Sequence, residues 1–279
     1  MADVALQKPA PADARMAPIG RRRGKGRGTR LISLATVAGL LLLWGLVANL
    51  GLVPPLFLPT PQAVLGKLVT TASVGFADAT LLQHLAASLG RVFAALALAL
   101  VVAIPVGIAI GTSRVARGIL DPLIEFYRPI PPLAYLPLIV IWFGIGETSK
   151  VLVIFLAIFA PIAISTAAGV RGVPSDRLRA ARSLGATRAQ LLRHVILPNA
   201  LPEILTGVRI GLGVGWSTLV AAELVAATSG LGFMIQSAAQ FLVTDVVVLG
   251  ILVIAAVAFL LEYLLRLLQR RLTPWHGRG

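Results

Sequence analysis

An all-helical membrane protein is the fold class that this sequence predicts, on three observations. Of its 279 residues, 57% are hydrophobic and 13% are charged, whereas soluble domains carry about 25% charged residues. Several apolar runs reach the roughly 20 residues that a membrane-spanning helix needs. The basic residues between those runs fall mostly on one side of the predicted membrane.

The chain starts with a basic segment. Residues 1–30 contain eight Lys or Arg residues and are rich in Pro, Ala and Gly, which predicts a disordered tail. A basic tail can bind nucleic acid, but beside a membrane it is better suited to anionic lipid headgroups, so we expect lipid and no nucleic acid. Residues 31–53 carry no charge. This run is too long for the core of a signal peptide and predicts the first span.

Five more spans follow. The four prolines between 54 and 61 stop the first helix, and residues 62–83 predict a short interfacial helix and a loop. The remaining spans are predicted at about 86–111, 120–144, 150–170, 201–226 and 246–266. Residues 80–270 therefore form the predicted core, and Arg91 lies near a span end from which its side chain can reach the headgroups.

The distribution of charge predicts the orientation. Twenty of the 25 Lys and Arg residues lie on the side of the N-terminal tail, whereas Lys67 and Lys150 lie on the other side. Cytoplasmic loops of membrane proteins accumulate Lys and Arg. We therefore expect six spans with both chain termini in the cytoplasm.

Residues 171–199 form the longest loop between spans, and their pattern predicts two short helices joined at Gly185. Ser175 is placed to cap the first helix. Thr187 and Gln190 form a Thr-x-x-Gln capping box that starts the second helix, and Pro198 is expected to end it. Gly185 can adopt the left-handed conformation that ends a helix.

The first of these helices has little apolar bulk. Ala180, Ala181 and Gly185 are small residues, and small residues permit the close approach of a partner. A helix that lies on the lipid surface is the alternative, since basic helices often do so. The residues favour a docking site for another protein over lipid contact.

This loop resembles a known family. Ala180-Ala181, Gly185 and Ile196-Leu197-Pro198 are similar to the EAA loop of ABC-importer permeases, which fits into a groove of the ATPase subunit. Arg179 stands where that family usually has glutamate. Tyr127-Arg128-Pro-Ile-Pro-Pro132 and the stretch 207–223 resemble, more narrowly, the sulfonate, nitrate and taurine permease group.

The resemblance implies a fold and a set of partners. The fold is that of a type I ABC importer permease (MetI-like) in a bacterial inner membrane. The implied partners are two ATPase subunits that bind ATP and Mg²⁺, a periplasmic substrate-binding protein and a second permease copy. The implied cargo is taurine or a related small sulfonate, with alkanesulfonate, nitrate and bicarbonate as alternatives. The residues implied to couple to the ATPase are Arg179, Ala180, Ala181, Gly185, Thr187, Gln190, Ile196 and Pro198.

Polar groups inside the predicted spans mark a candidate translocation path. Glu125 and Arg128 are neighbours on one face of the third span, and the prolines that end at Pro132 break its helix. Broken helices are tolerated at membrane depth where they line a cavity. This site either shapes the path or is an internal ion pair on a bent helix, and the sequence leaves both interpretations open.

The fifth span is rich in glycine. Gly207 and Gly211 predict close packing against another helix. Ser217, Thr218 and Glu223 are the polar residues that we place on the path. Glu223 has an alternative role as the cap of a helix end near the outer surface.

Other classes of protein are disfavoured. The chain has no cysteine, and His84, His194 and His276 show no metal-ligand spacing, so we expect no metal site and no bound cofactor. It contains no Gly-x-x-x-x-Gly-Lys-Ser/Thr phosphate loop and no triad-like cluster of a membrane enzyme. A secondary transporter would carry paired broken spans in two halves, and no such repeat is visible.

Overall fold

The computed structural model describes residues 27–274, and these form helices without a named strand. Residues 1–26 of the predicted disordered tail lie outside the described residues. The chain divides into two compact units, one ending at Leu46 and one beginning at Val47. The helices are α1 (Arg27–Asn49), α2 (Pro61–Ser73), α3 (Leu81–Thr112), α4 (Arg114–Tyr127), α5 (Pro132–Phe143), α6 (Glu147–Arg171), α7 (Ser175–Ser183), α8 (Arg188–Gln190), α9 (Leu197–Ala226), α10 (Leu231–Gln240) and α11 (Thr244–Leu272).

Within residues 27–274, five helices are long and apolar enough to cross a membrane. They are the Leu31–Asn49 part of α1, then α3, α6, a continuous helix that includes α9, and α11. Four of them match the predicted second, fourth, fifth and sixth spans. The first span differs from its prediction at both ends. Helix α1 begins at Arg27 and ends at Asn49, whereas the predicted span covers residues 31–53.

The predicted third span, 120–144, is not a single helix. α4 and α5 are separate helices that meet at an angle of 101°, and they make a sixth span if the bent pair crosses the membrane once. The break follows from Pro129, Pro131 and Pro132, because proline lacks the backbone N–H that an inner helical turn requires. The described part of the chain is therefore helical with five candidate spans, or six if the bent pair is one span, and six is the number that the sequence predicts.

Helix α6 lies at the centre of the second unit, between α3 and α9. Its buried residues include Val153, Ile154 and Ile158. Glycines allow the close contact on both sides: a Cβ atom at Gly107 of α3 would lie 2.5 Å from Thr166 Cβ, and one at Gly207 of α9 would lie 2.5 Å from Ser165 Cβ. The predicted close packing at Gly207 is confirmed.

Helix α10 was not predicted. It lies between α9 and α11 in the chain, and Leu231, Met234 and Ala238 bury their side chains against Val246 of α11. At ten residues it is too short to span a membrane. We call the end of the unit that contains α10 and the first residues of α3 and α6 the far end, and the opposite end, which carries residues 171–199, the loop end.

Candidate functional site

The 171–199 loop folds into two short helices joined by a tight turn. After α7, Gly185 adopts a left-handed conformation with φ 82°, and the Ala186 N–H donates to the Ala181 carbonyl at 3.1 Å. At the start of α8, Thr187 Oγ1 accepts the Gln190 N–H at 3.3 Å and Gln190 Oε1 accepts the Thr187 N–H at 2.8 Å. The predicted turn at Gly185 and the predicted capping box are both confirmed.

Two local predictions for this loop are wrong. Ser175 is the first residue of α7 rather than its cap, and Pro174 before it supplies no side-chain hydrogen bond. Pro198 does not end the second helix, because the π-helical turn Leu191–Ile196 continues directly into α9. There the Leu197 N–H bonds to the Leu192 carbonyl, five residues earlier, and the helix passes through Pro198 without a break.

The inner face of the loop is fixed to the helix bundle. Leu191 and Ile196 are buried in a cluster with Val170, Val173 and Ile204, so the π-helical turn packs against the end of α6 and the start of α9. Buried apolar contacts therefore hold the base of the loop against these two helices.

The outer face of the loop is basic, with one apolar residue at its tip. Leu184 is 88% exposed beside Gly185. Arg179, at the position of the usual glutamate, pairs with Asp176 one turn earlier, and both side chains are exposed. The other exposed arginines of the loop are Arg171, Arg177, Arg182, Arg188 and Arg193.

The residues predicted to couple to the ATPase therefore divide into two sets. An outer set is exposed or half-buried and comprises Arg179, Ala180, Ala181, Gly185, Thr187 and Gln190. Ile196 is buried and Pro198 is half-buried. This second set anchors the loop, whereas the first set forms a surface that a partner can reach.

A cavity of about 230 Å³ lies at the break between α4 and α5. Arg128 and Pro132 line it, together with Tyr127, Tyr135 and residues of α6 and α9. Tyr127 Oη donates to the Leu156 carbonyl at 3.3 Å. The broken helix thus opens a cavity with a guanidinium and two phenol groups in its wall.

The other predicted path residues do not meet at this cavity. Glu125 is exposed and is absent from the cavity wall. It forms no ion pair with Arg128 within residues 27–274, so the structure does not show the internal ion pair. Ser217 and Thr218 each donate to the Val214 carbonyl at 2.9 Å. Their hydroxyl groups are thereby used within α9.

Glu223 belongs to an ionic network at the far end in which Arg91, Lys150 and Glu223 are buried and Glu147 is exposed. Arg91 is 4% exposed; its Nη1 atom lies 2.6 Å from Glu223 Oε1, and its Nε atom lies 2.6 Å from Glu147 Oε2. Lys150 Nζ donates to the other oxygen of Glu147 at 2.9 Å. Two cations and two carboxylates thus join α3, α6 and α9.

The same network fixes the start of α10. Glu223 Oε2 accepts the Gly232 N–H at 2.8 Å, and Ser88 Oγ accepts the Leu231 N–H at 2.9 Å. His84 Nδ1 accepts the Gly230 N–H at 3.1 Å while its Nε2 donates to the Phe76 carbonyl at 2.9 Å. Glu223 therefore caps a helix end, which was the alternative considered for it.

Sequence reasoning missed this network. Arg91 was predicted to reach the headgroups, and that prediction is wrong because the side chain turns inward to two carboxylates. A signal was present, since an ionisable residue within a span usually has a partner inside the bundle. The partners could not be chosen, because Glu147 and Glu223 are 56 and 132 positions away.

The long apolar helices define a polytopic membrane protein with an exposed basic loop at one end. Residues 103–274 match the family model described as binding-protein-dependent transport system inner membrane component. The chain belongs to this family, which makes it a permease of an ABC transport system.

Individual relatives agree with the family. The chain is 69% identical over 247 residues to the taurine transport system permease protein TauC of Escherichia coli, covering 88% of this chain and 90% of that protein. It is 37% identical over 259 residues to the putative aliphatic sulfonates transport permease protein SsuC of Bacillus subtilis, covering 93% and 92%. A chain of the inward-facing MetNI methionine ABC transporter has the same fold, with a TM-score of 0.56 at 22% identity over 69% of this chain and 96% of that one.

Proposed function

We propose that this chain is the membrane-spanning subunit through which an ATP-driven importer carries taurine across the bacterial inner membrane. The observation that carries the proposal is the 69% identity to a taurine permease over 88% of the chain. That similarity includes the 171–199 loop, whose exposed outer face suits a subunit that is moved by a partner ATPase and performs no chemistry itself. The chain itself is not an enzyme, and a partner hydrolyses ATP.

The proposed assembly contains two copies of this chain, two ATPase subunits and a periplasmic substrate-binding protein. ATP and Mg²⁺ bind to the ATPase subunits. The exposed tip of the 171–199 loop supports this arrangement, because Leu184 and the small residues Ala180 and Gly185 are accessible there and small residues permit the close approach of a partner. Its excess positive charge favours an acidic groove on the partner.

The loop acts as a lever in this proposal. α7 and α8 follow the ATPase subunits as they close on ATP. Because Leu191 and Ile196 anchor the loop to α6 and α9, its displacement turns these helices and switches the permease pair between inward- and outward-facing states. The π-helical turn makes α9 continuous with the loop, so no flexible linker absorbs the motion.

The cavity at the broken helix is the proposed passage for cargo. Taurine carries a sulfonate and an ammonium group. Arg128 offers donors to the sulfonate, and the phenol oxygen of Tyr135 offers an acceptor to the ammonium. A few polar groups in a mostly apolar wall hold the cargo weakly, and weak binding permits release.

The proposed orientation places the loop end in the cytoplasm together with both chain termini. The excess of Lys and Arg on that side supports it. The far end, with its ionic network and α10, then faces the periplasm and the substrate-binding protein.

Uptake by the reconstituted transporter tests the proposal. The chain, its ATPase subunit and its binding protein are placed in proteoliposomes, and uptake of labelled taurine is measured with and without ATP. We expect uptake that requires ATP and the binding protein and that prefers taurine to longer alkanesulfonates. Uptake driven by a proton gradient without ATP, or a preference for alkanesulfonates, would refute it.

A further inference from the structure

A second polar cavity lies at the loop end, between α9 and α11. It has a volume of about 380 Å³ and is lined by Arg209, Arg266, Gln269, Arg270 and Thr273. Ligand pockets in proteins typically measure about 300–1,000 Å³. The cavity is separate from the broken helix and from the outer face of the 171–199 loop, and the proposed function does not use it.

Positive charge in this cavity exceeds the negative charge beside it. Arg209 Nε and Arg266 Nε lie 2.7 Å and 2.8 Å from the same atom, Glu262 Oε1. Arg270 forms no ion pair within residues 27–274, so three guanidinium groups share one carboxylate. Glu203, the preceding acidic residue of α9, packs beside Gly169 of α6 instead.

The guanidinium groups also keep free donors. Arg209 and Arg266 use only their Nε atoms on Glu262, and within residues 27–274 they form no other ion pair. Their Nη groups and the whole of Arg270 remain for a ligand. Guanidinium groups bind phosphate oxygens with paired, charge-assisted hydrogen bonds, so the arrangement suits a phosphate group.

The cavity lies at the depth of lipid headgroups. Between Asp245 and Glu262, α11 has sixteen uncharged residues, which span about 24 Å of a hydrocarbon core about 30 Å thick. Arg266 and Arg270 are one and two turns beyond Glu262. They therefore lie at the membrane boundary on the loop side.

An apolar crevice continues from the cavity toward the membrane centre. It has a volume of about 110 Å³, shares Arg209 with the polar cavity and is lined mainly by Leu212, Trp216, Ala258 and Leu261. On the membrane face of α11, Phe259 is 76% exposed. A phosphate bound by the arginines would thus have an acyl-chain path beside it.

We propose that this cavity binds the phosphate group of an anionic phospholipid between α9 and α11. The headgroup phosphate lies among Arg209, Arg266 and Arg270, and one acyl chain follows the crevice beside Trp216. Basic pockets between spanning helices bind anionic lipids in this way. The bound lipid links α11 to α9, the helix that the 171–199 loop moves.

Native mass spectrometry of the detergent-solubilised transporter tests this site. Phosphatidylglycerol and phosphatidylethanolamine with the same acyl chains are titrated separately. We expect phosphatidylglycerol to bind more tightly, because its net negative charge balances the excess arginines. Equal binding of the two lipids would overturn the proposal.

Matched variants locate the binding. Arg270→Gln should weaken phosphatidylglycerol binding about fivefold, the effect of one basic residue near an anionic headgroup, and Arg270→Lys should retain most of it. Arg114→Gln removes an exposed arginine that also lacks an ion pair and lies at the same end of the bundle, so it should leave binding unchanged. Equal losses in the Arg270→Gln and Arg114→Gln variants would show a diffuse charge effect and contradict a defined site.

Competition distinguishes a lipid from free phosphate. Inorganic phosphate and glycerophosphoglycerol, which lacks acyl chains, are added in hundredfold excess over bound phosphatidylglycerol. The proposal requires that neither displaces the lipid, since the crevice holds the chain. Displacement of the lipid by either compound at this hundredfold excess would refute the lipid assignment.

Discussion

Arg91 and Glu223 are 132 positions apart in the chain and form a buried ion pair, with 2.6 Å between Nη1 and Oε1. Glu223 is 1% exposed, and its second oxygen accepts the Gly232 N–H. This pair fixes the far ends of α3 and α9 and the start of α10. Buried contacts therefore hold the far end together, whereas the loop end is the part that the ATPase moves in the proposed mechanism.

Removing the cation from this pair should destabilise the protein strongly. Arg91→Gln leaves Glu223 buried without its counter-ion, and a broken buried ion pair costs about 3–5 kcal/mol. The free energy of unfolding in mixed micelles measures the loss. Arg179→Gln is the matched control. Both side chains of the Arg179–Asp176 ion pair are exposed, so the pair should contribute less than about 1 kcal/mol to the free energy of unfolding.

The double variant tests whether the two charges act as a pair. Arg91→Gln with Glu223→Gln removes both charges, so its loss should be clearly smaller than the sum of the two single losses. Strictly additive losses would show that Arg91 and Glu223 contribute independently.

The glycines of α9 should respond differently to the same substitution. Gly207→Ala places a methyl group 2.5 Å from Ser165 Cβ, and overpacking of this kind costs about 1–3 kcal/mol. At Gly213 a Cβ atom meets nothing within 4 Å. Gly213→Ala should leave the free energy of unfolding unchanged or raise it by up to about 1 kcal/mol, because alanine favours a helix.

The sequence predicts the helices of this fold better than it predicts which helices meet. Apolar runs correctly indicated the membrane class, because length and hydropathy are local properties. They also indicated all five long apolar helices of the described residues, which are α1, α3, α6, α9 and α11. The Gly207–Gly211 spacing correctly indicated close packing. The sequence could not show which helix α9 meets, since α6 becomes its neighbour only through the packing of the whole unit.

The 171–199 loop was predicted well at its turn and poorly at its ends. Gly185 and the Thr187 capping box depend on residues within four positions, so their conformation could be predicted. Pro198 was misleading because the π-helical turn before it runs directly into α9. At the candidate passage, Arg128 and Pro132 meet in one cavity, whereas Ser217 and Thr218 bond within their own helix.

The left-handed turn of the loop makes a conformational prediction. Gly185→Val forces a β-branched residue to φ 82°, which costs roughly 1–2 kcal/mol and should shift the position of Leu184. We expect weaker binding of the ATPase subunit, measured by pull-down or surface immobilisation. Gly185→Asn should bind nearly normally, since asparagine tolerates this conformation, and equal loss in both variants would contradict the explanation.

The cavity at the broken helix predicts a transport defect without a folding defect. Arg128 is exposed and unpaired in the described chain, so Arg128→Gln should leave the free energy of unfolding within about 0.5 kcal/mol of the unsubstituted protein. Taurine uptake should fall severalfold because the sulfonate loses its donor. Glu125→Gln changes a nearby exposed charge outside the cavity wall and should retain uptake; if it loses as much as Arg128→Gln, the cavity is not the passage.

The absence of native cysteine makes site-directed cross-linking the most direct test of the coupling role. Leu184→Cys is labelled in the assembled transporter with a short photo-reactive maleimide and illuminated, and Val74→Cys, an equally exposed position at the far end (80% against 88%), is the control. The account predicts a cross-link from position 184 to the ATPase subunit and none from position 74. No cross-link from position 184, or labelling of that position only from the periplasmic side of intact cells, would contradict it.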